Sequence, residues 1–60
     1  MQNKALIITS DLNLRQEIED SLRELSLELH HADGYLQALS LMARYHYVLV
    51  VMDLAFSEIS

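Results

Sequence analysis

Tyr47-Val48-Leu49-Val50-Val51-Met52 is the longest apolar run in the chain, and it ends on a carboxylate, Asp53. Three β-branched valines in so short a run favour a strand, and the lack of polar alternation marks a strand buried on both faces. Ala5-Leu6-Ile7-Ile8, closed by Thr9-Ser10-Asp11, has the same character. Between these two runs the period changes. Leu14, Ile18, Leu22 and Leu25 recur at helical spacing, with Arg15, Glu19, Arg23 and Glu24 off that stripe. Asn13 and Gln16 stand at capping-box spacing, which predicts a helix starting there, with Asp11 as the competing cap. Glu17, Glu19 and Asp20 fall early in this helix, where its dipole favours negative charge. Glu19 and Arg23 form an i,i+4 pair in the better orientation.

Leu27-Glu28-Leu29-His30 alternates and runs through His31-Ala32 into Asp33-Gly34, which predicts a half-exposed strand ending in a turn. A second helix is expected from about Tyr35 to Arg44, with Ala38, Leu39, Met42 and Ala43 facing inward. The order is strand, helix, strand, helix, strand. Helical connections imply parallel pairing with right-handed crossovers. Two wholly apolar strands belong inside a sheet and an alternating one at its edge, which gives the order 2-1-3. That is an α/β architecture, the first half (βαβαβ) of a flavodoxin-like doubly wound parallel sheet, with residues 1–60 as one partial domain. In the full sheet the third strand is central. Here its outer edge is expected to be open, and an open apolar edge invites pairing, with further chain or with a second copy.

Composition bounds the function. The chain has 60 residues, a net charge of −5, no cysteine, no proline and one glycine. A chain this short buries only about 60% of its unfolded surface, so its stability is marginal. Without cysteine there is no disulfide framework and no thiolate metal site. Apolar residues make up 52%, which excludes a disordered tail. Four basic residues against nine acidic ones argue against direct nucleic-acid binding, which rewards Lys and Arg. No run approaches the roughly 20 apolar residues of a spanning helix, and the N-terminus does not read as a signal peptide. No membrane association and a cytoplasmic location are expected.

In sheets of this order ligands bind beyond the carboxyl ends of the strands, at the switch point between the first and third. Thr9, Ser10, Asp11 and Asp53 are the polar residues placed there. Asp53 has the chemistry of a nucleophile toward phosphorus or of a hard oxygen ligand for Mg²⁺. The plainer alternative is a carboxylate that caps or solvates a loop, and spacing alone weighs the two evenly. Other candidates are weaker. His30 and His31 are adjacent, so on a strand they point to opposite faces and cannot chelate one metal; one is expected packed and the other solvated. His46 belongs to a connection at the surface. Met42 and Met52, at core spacing, are expected to fill gaps. No glycine-rich phosphate loop and no Ser-His-Asp or Cys-His arrangement is present.

Taken together, these residues resemble the N-terminal half of a bacterial response-regulator receiver domain. The resemblance covers nearly all of the chain. It rests on Ala5-Leu6-Ile7-Ile8 leading into a polar triplet, Asn13-Leu14-Arg15, Ala32-Asp33-Gly34, Ala38-Leu39, and Leu49-Val50-Val51-Met52-Asp53-Leu54. It implies that Asp53 is the phosphoacceptor served by a histidine kinase, in a two-component phosphorelay that regulates a partner or output domain. It implies a regulated binding module rather than an enzyme turning over a substrate of its own. It also implies Mg²⁺ held by Asp53, by the Ala55 backbone carbonyl and by an acidic pair after the first strand. The acidic-pair positions are Thr9 and Ser10 here, leaving Asp11, one residue on, as the nearest carboxylate. Ser57 stands where the family usually has proline. Two readings therefore stand side by side: phosphoryl acceptance on Asp53, and a degenerate receiver that binds partners without phosphorylation. A hydrolase or nucleotide-binding half-domain is a distant third.

Overall fold

A computed structural model describes residues 2–53 of the chain. Its elements are β1 (Lys4–Ile8), α1 (Leu12–Leu22), a 3-10 turn (Arg23–Leu25), β2 (Glu28–Ala32), α2 (Tyr35–Arg44) and β3 (Leu49–Met52). The three strands form one parallel sheet in the order β2-β1-β3. This is the first half of a flavodoxin-like fold, as the ranking of strands by apolar content predicts.

β1 has a neighbour on each side and residues on each face, and Ala5, Leu6, Ile7 and Ile8 are all 1% exposed or less. The register sets Leu6 between His30 and Val50, and Ile8 between Ala32 and Met52. On the face of Leu6 and Ile8, α2 contributes Ala38, and Leu41 and Tyr47 pack against the same cluster. Small side chains at Ala32 and Ala38 let the helix approach the sheet closely. Ala5 and Ile7 point to the other face. Right-handed crossovers that run in opposite directions across the sheet put α1 on that side.

Several expectations are corrected. α1 begins at Leu12, because the Asp11 side chain is the N-cap, accepting from Asn13 N–H and Leu14 N–H. The Asn13–Gln16 capping box does not form, since Asn13 is already inside the helix. The Glu19–Arg23 pair does not form either. Arg15 meets Glu19 at 3.8 Å and Arg23 meets Asp20 at 2.6 Å. Leu14, Ile18 and Leu22 are half-buried, and no residue of α1 is fully buried. The inner face of α2 runs through Ala38 and Leu41, leaving Leu39, Met42 and Ala43 exposed, because α2 rests over β1 and β2 and its far side meets no described element. Val50 is 42% exposed and Met52 48%, so neither is a core residue, and Leu49 is only half-buried. The physical reason is the same: among the described residues nothing covers β3 on the α2 side, and no strand lies along its outer edge. Val48, at the entrance to β3, is 63% exposed. Met42 and Met52 thus fill no gap.

The chain leaves the 3-10 turn through Ser26, whose φ of 55° and ψ of 40° are left-handed. Glycine is the usual residue for this stop, since it has no Cβ to clash. The Ser26 carbonyl accepts from Gln2 Nε2 at 3.2 Å, tying the turn to the segment that precedes β1. No helix among the described residues is long and apolar enough to cross a membrane.

Candidate functional site at the carboxyl ends of the strands

Parallel pairing brings the ends of β1 and β3 together. Thr9 N–H donates to the Ala32 carbonyl and Asp53 N–H to the Ile8 carbonyl, each at 3.1 Å. These bonds carry the ladder one residue past each strand and hold Thr9 and Asp53 side by side. Thr9 is 2% exposed, so its hydroxyl must find partners inside the protein. It finds two. Thr9 Oγ1–H donates to Asp53 Oδ2 at 3.2 Å, and the same oxygen accepts Asp11 N–H at 3.1 Å. Among the described residues no buried side-chain polar atom lacks a partner.

Asp53 is half-buried at this junction. Ser10 and Asp11 are exposed. The Asp11 carboxylate is turned to α1, with Oδ1 taking Asn13 N–H at 3.0 Å and Leu14 N–H at 3.2 Å. Of the residues predicted to gather here, Thr9 and Asp53 are in contact, while Asp11 reaches the site through its backbone and commits its side chain to the helix. Ala55 and Ser57 lie outside the described residues.

The donor set can be tested against Mg²⁺. This ion wants near-octahedral oxygen ligation and keeps one or two carboxylates as its protein ligands. Asp53 supplies one. Thr9 offers a neutral oxygen already engaged as donor and acceptor, and the Asp11 carboxylate is held by two backbone amides. No group of three or more His, Cys, Asp or Glu able to hold a metal is found among the described residues. The described side chains do not fit the metal set that the receiver resemblance implies.

A second cluster lies at the other end of the sheet, where the sequence signalled only that one of His30 and His31 would be packed. His30 Nε2 meets Glu28 Oε2 at 2.6 Å, and Nδ1 meets the Tyr47 hydroxyl at 2.6 Å. A carboxylate accepts only, so a neutral His30 carries its proton on Nε2 and takes the Tyr47 O–H on Nδ1. The ring stands edge-on to Tyr45 at 4.9 Å and to Tyr47 at 5.3 Å. Lys4 Nζ and Arg44 Cζ lie 5.8 and 5.9 Å from the Tyr45 ring centre. The hydrogen bond from His30 holds the Glu28 carboxyl below its ordinary 4.5, against a smaller opposing effect of burial and with help from the Lys4 and His30 charges. Burial pushes the Tyr47 phenol above its ordinary 10.0, and the negative charges of Tyr45 and Glu28 add to this. His30 is the packed histidine, while His31 and His46 are exposed, as expected. The bond from His30 to Tyr47 spans β1, tying the edge strand to the lead-in of β3.

No family model matches the chain, and neither a curated protein nor a solved structure matches it.

Proposed function

We propose that this chain is the receiver portion of a two-component response regulator, with Asp53 at the phosphoacceptor position, regulating a partner protein or output domain. One observation supports this most: Asp53 stands at the end of β3, at the switch point of a 2-1-3 parallel sheet, with a hydroxyl from the end of β1 on its Oδ2. On this reading the chain is a cytoplasmic signalling module that turns over no substrate of its own. Its partners are proteins, not nucleic acid, and β3 offers an edge for self-association.

The reading has two forms. In the first, Asp53 accepts a phosphoryl group from a histidine kinase, with Mg²⁺ in the pocket supplying charge neutralisation. In the second, the chain is a degenerate receiver that binds partners without phosphorylation. A specific observation favours the second: the Thr9 hydroxyl lies against Asp53 at one acidic-pair position, and the nearest carboxylate, Asp11, is engaged as the α1 cap. Phosphoryl transfer is positioning plus charge stabilisation, so a site short of carboxylates for the metal is poorly equipped for it.

Mg²⁺ titration and labelling with a small phosphodonor separate the two, on the full-length native protein and on its Thr9→Glu, Ser10→Asp variant. The degenerate form predicts weak Mg²⁺ binding and no label on native Asp53, with both gained in the variant. Tight Mg²⁺ binding and labelling of native Asp53 would establish the phosphorylated form instead. A variant that still does neither would remove Asp53 from the acceptor position altogether.

A further inference from the structure

We propose that the Thr9 hydroxyl couples the Asp53 carboxylate to the first turn of α1, so that a change of charge at Asp53 is felt at the helix N-terminus. The contacts are continuous. Thr9 Oγ1–H reaches Asp53 Oδ2 at 3.2 Å, Asp11 N–H reaches Thr9 Oγ1 at 3.1 Å, and Asn13 N–H and Leu14 N–H reach Asp11 Oδ1 at 3.0 and 3.2 Å. They run from the end of β3, through the end of β1, into the cap of α1. A hydroxyl that donates to a carboxylate is a better acceptor for its own incoming bond, because linked hydrogen bonds polarise one another. When the carboxylate's charge is drawn off, the Thr9 oxygen holds the Asp11 amide less firmly. Asp11 is the residue that caps α1, so its backbone and its cap loosen together. Thr9 is 2% exposed and cannot turn its hydroxyl to bulk water instead. Ser10, the other hydroxyl at this end, is exposed and lies outside this chain of bonds.

The coupling rests on the reading above only for what engages Asp53; the hydrogen bonds themselves require no phosphoryl transfer. Its test therefore uses charge removal in the full chain. Amide exchange is measured by NMR at Asp11, Asn13 and Leu14, with Leu22 at the far end of α1 as reference, in the native, Asp53→Asn, Thr9→Val and doubly substituted proteins. Asp53→Asn is expected to speed exchange at Asp11 by up to about twofold, since it weakens the bond from Asp11 N–H to Thr9 without removing it, and to leave Leu22 unchanged. In the Thr9→Val background the same substitution adds nothing, and Thr9→Ser restores the response. Unchanged exchange at Asp11, Asn13 and Leu14 in Asp53→Asn overturns the proposal. So does a response of full size in Thr9→Val, which would mark a through-space effect of charge. Failure of Asp53 to take a phosphodonor label would sink the phosphorylated form and leave these results untouched.

Discussion

At the residue scale, the Glu28–His30–Tyr47 cluster gives the molecule two pH limits of opposite origin. Glu28 is held below 4.5 chiefly by its bond from His30, so its contribution is present above that value. As pH falls through the lowered folded-state value, the carboxylate takes a proton and the contribution is lost. Tyr47 is raised above 10.0, chiefly by burial. Its contribution is whole below 10.0 and is lost as pH rises through the raised value. Thermal melts across pH 3 to 6, about the range of an ordinary carboxyl titration, are expected to slope downward on the acid side, and Glu28→Gln to flatten that slope. Tyr47→Phe is expected to flatten the alkaline side and leave the acid side intact. A flat acid limb in the native chain would mean that His30 and Glu28 are not bonded in solution.

The elements carry their own tests. If Asp11 caps α1, Asp11→Ala costs about 0.5–2 kcal/mol and Asn13→Ala much less. The reverse order, read from denaturant midpoints, would restore the capping box at Asn13. Ser26 holds a left-handed conformation that costs a non-glycine residue about 1–2 kcal/mol. Ser26→Gly relieves this at some cost in unfolded-chain entropy, and the expected net gain is a few degrees in melting midpoint. Much of the element structure was legible in the residues. The apolar runs 5–8 and 47–52 announced two inner strands, and Asp33-Gly34 announced the turn before α2. Ala38 was read as inward-facing and is buried; what was not legible was that Leu41, rather than Leu39, Met42 and Ala43, shares its face. Leu39 and Met42 carry more apolar bulk than Ala38 and Leu41. Close packing on Ala32 selects the smaller side chain, and composition alone does not report that. The α1 cap was ambiguous for a related reason: Asp11 and Asn13 both suit the position, and only the path of the backbone after Thr9 chooses between them.

For the molecule as a whole, the buried residues centre on β1, and stability should follow them. Ile8→Ala removes a side chain that is 1% exposed and is expected to cost about 2–5 kcal/mol, enough to unfold a chain of this size. Ile18→Ala, on half-buried α1, is expected to cost less. Among the described residues nothing covers the outer edge of β3, and association is expected to follow from it. Sedimentation at micromolar concentration is expected to show dimers or larger species, and Val50→Lys to reduce them by placing a charge on the edge strand. A well-folded monomer with a cooperative melt at every concentration would refute this. The 2-1-3 order and the juxtaposition of Thr9 with Asp53 followed from strand ranking. The commitment of the Asp11 carboxylate to α1 required the folded backbone. The exposure of β3 also has a chemical consequence. Met52 at 48% and Met42 at 42% accessibility are both open to peroxide, which turns a thioether into a polar sulfoxide. One lies on the strand and the other on the helix, so their relative rates of oxidation form a footprint. Whatever comes to lie along β3 should slow sulfoxide formation at Met52 more than at Met42, and the chain thereby carries an internal reporter of its own occupancy.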